Sequence, residues 1–158
     1  CACALVELGP HNPLAVRIGL GNEQEIELAL QMLPLLQSTD LLIADRLFGV
    51  GYFLDEVQKS NCGALLVKVP RSQTSREIKR LEDDSYLVEV DVRSRKRAGD
   101  IINTHQIREI RYELTATNAN GEPVREQIRL WTTLSEALSY PARELIDLYL
   151  SRWEHELY

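Results

Sequence analysis

The sequence has 158 residues and a net charge of −6. That length allows one domain with a real core, and the acidic balance, taken alone, argues against a nucleic-acid binder. No apolar run reaches the roughly 20 residues that a membrane span needs, and the opening CACALVELGP has neither the basic leader nor the long apolar stretch of a signal peptide. The chain begins without methionine, and its only one is Met32, so it reads as a piece of a longer protein. Of the three cysteines, Cys1 and Cys3 alternate on an expected strand and Cys62 stands alone. They read as small thiols in a reducing compartment; a Cys-x-Cys metal site would have only His11 nearby.

In chain order, Cys1 to Leu8 and Leu14 to Leu20 predict two strands of a hairpin, with the turn residues Gly9 to Pro13 between them. Asn22 is an expected helix N-cap with Glu25 in capping-box register. Ile26, Ala29, Leu30, Leu33 and Leu36 recur at helical spacing, which predicts a helix to about Gln37. Leu41 to Ala44 is a short apolar run of the kind that suits a strand buried on both faces, and it ends at Asp45. A helix is expected over Tyr52 to Lys59 and a buried strand over Ala64 to Val69. After Pro70 the pattern changes to period two. Tyr86 to Val92, Ile107 to Leu114 and Glu126 to Leu134 predict antiparallel strands with one wet face, and Asn118 to Pro123 a turn. From Pro141 the pattern is helical again. The expected organisation is an α/β core over 1–70, a β-rich insertion over 71–134 that forms a separate subassembly joined to the sheet at two points, and a return to the core over 135–158.

Charge is unevenly spread. KVPRSQTSREIKR, Lys68 to Arg80, has five basic residues and one acid, and RSRKR, Arg93 to Arg97, has four basic residues. These are either solvated loops of mixed charge or part of a phosphate-contacting surface.

Asp45 sits where the apolar run ends. In open α/β sheets, ligands bind outside the carboxyl ends of the strands, so a carboxylate there suits catalysis or a metal; a turn or cap aspartate is the plainer alternative. Tyr149, Arg152 and Glu156 fall at i, i+3 and i+7 of the terminal helix, one stripe on the side that carries Leu145 and Leu148. A protein-facing Glu156 needs a cation or an ion-pair partner. Arg152, one turn away, is the structural candidate, and a metal is the functional one. Converging carboxylates can hold divalent ions for phosphodiester chemistry.

LLIADRLFGVGYFL, Leu41 to Leu54, resembles the segment around the second catalytic aspartate of bacterial insertion-sequence transposases of the IS-four type. YPARELIDLYLSRWEHEL, Tyr140 to Leu157, is similar to that family's signature helix, whose pattern is Tyr, two residues, Arg, three residues, Glu, six residues, Lys. Tyr149, Arg152 and Glu156 fit the first three places, and the lysine would fall past Tyr158. The opening, Ala4 to Leu36, resembles the family's hairpin and helix. The resemblance implies an RNase H-like mixed sheet with flanking helices and a β-rich insertion. It implies two aspartates and a glutamate that bind Mg²⁺ or Mn²⁺, and the cutting and joining of double-stranded DNA at transposon ends by a homodimer in the bacterial cytoplasm. Asp45 would be the second aspartate and Glu156 the glutamate, both catalytic and metal-binding. Tyr149 and Arg152 would contact DNA phosphates, and Lys68 and Arg71 would line the DNA path.

Two features depart from the pattern. Leu47 stands where the family usually has glycine, so the turn after Asp45 is expected to differ. The first aspartate is absent. Its strand would lie centrally, beside the one that ends at Asp45, so the chain reads as an internal piece with two unpaired strand edges and an incomplete metal site. A non-catalytic remnant of a decayed insertion sequence, inert or inhibitory to an intact transposase, and a structure-selective nuclease of the same fold are the competing readings.

Overall fold

The computed structural model describes residues 1–10, 12–97 and 99–152. Strands β1 (Ala2–Val6) and β2 (Pro13–Ile18) form an antiparallel hairpin. Helix α1 (Glu25–Leu30), strand β3 (Leu41–Ala44), helix α2 (Gly51–Lys59) and strand β4 (Ala64–Lys68) follow. Then come β5 (Arg76–Arg80), β6 (Tyr86–Arg93), β7 (Ile101–Thr117), β8 (Pro123–Thr132) and helix α3 (Ala142–Ser151). Strands β3 to β8 make one six-stranded sheet in the order β3-β4-β8-β7-β6-β5. Among the described residues only β3 and β4 run parallel.

The expected hairpin is present, and so are the strands at Leu41 and Ala64 and the helices at Gly51 and Ala142. Other boundaries move for physical reasons. The N-cap of α1 is Gln24, not Asn22, and the capping box closes between Gln24 and Glu27. The helix stops at Leu30, and a 3₁₀ turn over Leu33–Leu35 replaces the predicted run to Gln37. Pro34 explains the break, because proline has no N–H to donate and its ring clashes with the carbonyl four residues back. Strand β5, REIKR, was not expected: every position is exposed, so it has no apolar alternation to read. Strand β7 starts six residues before the predicted Ile107, because Ile101 to Gln106 pair with β6 without a buried apolar face of their own.

The β-rich segment is not detached. Leu66, Val67 and Lys68 of β4 pair with Thr132, Trp131 and Leu130 of β8, so the strands of the insertion extend the sheet of the parallel pair. Successive side chains alternate across this sheet. Leu65, Val67 and Trp131 face the α1 and α2 side with Phe53, Leu54 and Val57, while Leu66, Ile128 and Leu130 face α3 with Leu145 and Tyr149. The sheet is therefore covered on both faces. Its edge at β3 has no strand partner among the described residues, and neither has the outer edge of β1. Between these two edges lies a groove of about 1010 Å³, walled by Cys3 to Leu8 on one side and Leu41 to Asp45 on the other, with Leu33 and Phe53 on its wall.

Candidate active site

Asp45 follows the last residue of β3, and its backbone is still extended, with φ −79° and ψ 173°. It caps the 3₁₀ turn Arg46–Phe48 by accepting from the Arg46 N–H at 2.5 Å. Leu47 lies in that turn and has no positive φ; among the described residues only Asp84 combines a side chain with left-handed backbone, at φ 64°. The turn thus accommodates leucine without strain. Gly49 is the constrained position: a Cβ there would lie 2.0 Å from the Lys68 carbonyl oxygen, so the turn packs flush on β4. The cap occupies Oδ1 only. Among the described residues nothing donates to Oδ2, and the side chain is 45% exposed toward the groove. The capping role and a ligand role are therefore compatible in one residue.

Helix α3 reaches this point from the other face of the sheet. Its apolar side carries Leu145 and Tyr149 into the core, and Tyr149 is only 1% exposed. Arg152 caps its end and points back across the tyrosine, with the guanidinium 5.5 Å from the ring centre. Its Nη2 lies 3.6 Å from Asp45 Oδ1. Strand end and helix end, distant in sequence, thus meet at one place. Burial, together with the neighbouring Tyr149 and Glu126, pushes the Tyr112 hydroxyl beside this helix up to about 12, so it stays neutral. Glu156 lies outside the described residues, as do His11 and His155.

The parallel register pairs Ala44 with Val67. Asp45 and Lys68 are the next residues, so they sit level at the carboxyl end of the two strands. The Lys68 Nζ lies 3.3 Å from Glu126 and the side chain is 16% exposed. Arg71 is exposed in the following loop, which Arg129 holds by donating to the carbonyls of Pro70 and Gln73. Three other basic residues of the two stretches have acidic partners: Arg76 has Glu89 and Asp91, Arg80 has Asp84, and Arg95 has Glu27.

Asp45 is a suitable oxygen donor for a hard divalent ion: a carboxylate, accessible, at a strand end. No group of three His, Cys, Asp or Glu side chains that could hold a metal gathers among the described residues. Two polar networks escaped sequence reasoning. One joins Asp55 to His105, Asn103 and Lys59. The other joins Arg108 to Asp83, Ser85 and the start of α3. In the sequence, Arg108 and Glu109 are adjacent charges within a strand expected to have one wet face. Both are fully buried, on opposite faces, because β7 is covered on both sides.

No helix among the described residues is long and apolar enough to cross a membrane. No curated protein matches the chain. Residues 2–158 match the family model described as the transposase DDE domain. The mixed sheet with helices on both faces agrees with the RNase H-like architecture of such a domain. The chain belongs to the transposase DDE domain family.

Proposed function

We propose that this chain carries part of the site that cuts transposon-end DNA and joins it to a target, as in insertion-sequence transposases of the IS-four type. The observation that supports this reading best is the meeting of Asp45 with Arg152, 3.6 Å apart at the ends of β3 and α3. Asp45 and Glu156 would hold Mg²⁺ or Mn²⁺, which activates the attacking oxygen and stabilises the leaving one in phosphodiester transfer. Arg152 presents a planar fork that donates in pairs to phosphate oxygens. Beside Asp45 it can trade the carboxylate for a backbone phosphate of the bound strand and hold that strand at the site. Tyr149, buried under Arg152, would support the guanidinium from below, and its burial leaves the contact with DNA to Arg152. Lys68 and Arg71 would extend the path along the carboxyl end of the sheet, positioning the backbone rather than reading bases. Division into 1–70, 71–134 and 135–158, action as a homodimer on double-stranded DNA, and a place in the bacterial cytoplasm belong to the same proposal.

In this reading, the groove between β1 and β3 takes the strand that bears the first aspartate, in a chain longer than these 158 residues. The open edges on both sides support it, since buried strand edges are otherwise left with unsatisfied backbone groups.

The test is cleavage of transposon-end DNA by the full-length protein with Mg²⁺. Asp45→Ala and Glu156→Ala should each abolish cleavage and leave DNA binding largely intact. Wild-type cleavage by either variant removes that residue from the site. Cutting without joining to a target would instead indicate a nuclease of the same fold.

A further inference from the structure

We infer that Asp83 and Arg108, both in the β-rich segment, are positioning residues: they fix where α3 lies along its axis and so hold Arg152 at Asp45. This rests on the reading of that junction as the active site. Arg108 on β7 is buried, with a side chain that is 0% exposed. Its Nε donates to Ser85 Oγ at 2.9 Å, and its Nη1 donates to the carbonyls of Leu134 at 3.0 Å and Tyr140 at 2.8 Å. Its Nη2 donates to Asp83 Oδ2. The same Asp83 oxygen accepts the Ala142 N–H at 2.7 Å, and Oδ1 accepts from Ser85 Oγ and the Ser85 N–H. One buried ion pair therefore grips the turn between β5 and β6, the chain entering α3, and the first N–H of α3.

Each contact to α3 and its approach is made to main chain. The first turn of a helix has N–H groups with no partner inside the helix and a partial positive charge, and a carboxylate answers both. Pro141, the N-cap, supplies no side-chain cap of its own. Along its length α3 also packs Leu145 and Tyr149 into an apolar cluster with Leu66, Ile110, Ile128 and Leu130. Apolar contact is non-directional and tolerates a slide along the axis; hydrogen bonds to fixed main-chain atoms do not. The helix runs from Ala142 to Ser151, a rod of about 15 Å at about 1.5 Å per residue, so displacement at Ala142 reaches Arg152 undiminished. Asp84, at φ 64°, holds the turn that aims Asp83. Burial pushes the Asp83 carboxyl up, but the Ser85 and Ala142 hydrogen bonds and the Arg108 charge outweigh this and hold it below the ordinary range. A buried ion pair adds little net stability over a well-packed apolar replacement, so the geometry that this pair specifies is the role assigned to it.

The experiment uses the full-length protein with Asp83→Ala, Asp83→Asn and Arg108→Met, each studied well below its own unfolding temperature. One readout is the side-chain Nε–H resonance of Arg152 by NMR, calibrated against Asp45→Asn, in which its charged partner is lost. The other is transposon-end cleavage. Asp83→Ala and Arg108→Met are expected to move the Arg152 resonance toward its position in Asp45→Asn. They should lower kcat/KM for DNA by about 10- to 100-fold, the size expected for an ångström-scale misplacement, because Arg152 is the group proposed to hold the strand at the site. Asp83→Asn, which keeps an oxygen facing Ala142, should recover part of both, and it decides the matter if Asp83→Ala does not fold. Folded variants with a wild-type Arg152 resonance overturn the inference, because the network then contributes only stability. If Asp45→Ala itself cleaves normally, the active-site reading is what fails, and the resonance alone still decides whether Asp83 and Arg108 position α3.

Discussion

At the residue scale, one clear electrostatic commitment lies away from the proposed site. Asp55 on α2 is buried at 3% exposure and accepts from Lys59, from His105 at 2.6 Å and from Asn103 at 2.8 Å. Burial raises its pKa, but these hydrogen bonds and the Lys59 charge outweigh burial and bring it from 3.8 to about 2. A carboxyl whose folded value is depressed stabilises the fold above its unfolded value and loses that contribution as pH falls through the folded one. Asp55→Asn should therefore cost stability at neutral pH, by no more than about 2 kcal/mol once screening at the exposed Lys59 end is allowed for. The difference from wild type should shrink as pH falls from about 4 to about 2. Urea titrations across that range check this; a difference that stays constant with pH would show that Asp55 acts through packing and not charge. None of this was legible in the sequence, where Asp55 is an ordinary polar helix position and His105 lies half a hundred residues away. Asp45 was legible because it ends an apolar run, a purely local signal.

At the element scale, what could be read depended on what each segment buries. Helices α2 and α3 and strands β3, β4, β6 and β8 each carry a period of 3.6 or 2, or an unbroken apolar run, and the expected elements stand there. The exposed β5 and the exposed start of β7 take their conformation from their neighbours' hydrogen bonds, which leave no mark in composition. The turn after Asp45 shows the same limit. Leu47 drew notice as a departure, yet it sits unstrained, whereas Gly49 two residues on is held against the Lys68 carbonyl. Leu47→Gly should then cost at most about 1 kcal/mol, from backbone entropy alone. Gly49→Ala must push the turn off β4, an overpacking cost of about 1–3 kcal/mol, and shift Asp45 with it. Thermal unfolding should show a drop of about 2–4 °C per kcal/mol for Gly49→Ala and little change for Leu47→Gly. Equal effects would place the constraint elsewhere in the turn.

At the scale of the whole molecule, two strand edges face one another across one seam. From β3 to β5, neighbouring strands are paired, and the core is closed on both faces. The hairpin β1-β2 stands apart as a sheet of its own, across a groove from β3. Leu42 and Ile43, in an apolar run that suggests full burial, are only half-buried because that seam is open. If one strand fills the groove, both edges gain main-chain partners together, and the hairpin joins the main sheet. Amide hydrogen exchange measures this directly, since protection follows backbone pairing and local opening. In residues 1–158 alone, amides on the outer edge of β1 and on the open edge of β3 should exchange fast, while those of β7 and β8 stay protected. In a chain extended by a strand that pairs in the groove, as proposed, β1 and β3 should become protected together, and transposon-end cleavage should appear that residues 1–158 alone are expected not to show. Protection of one edge without the other would mean that the added segment pairs at a single strand and leaves the seam open. Cleavage by residues 1–158 alone would show that Asp45 and its neighbours need no strand in the groove, and the proposed place of the first aspartate would have to be given up.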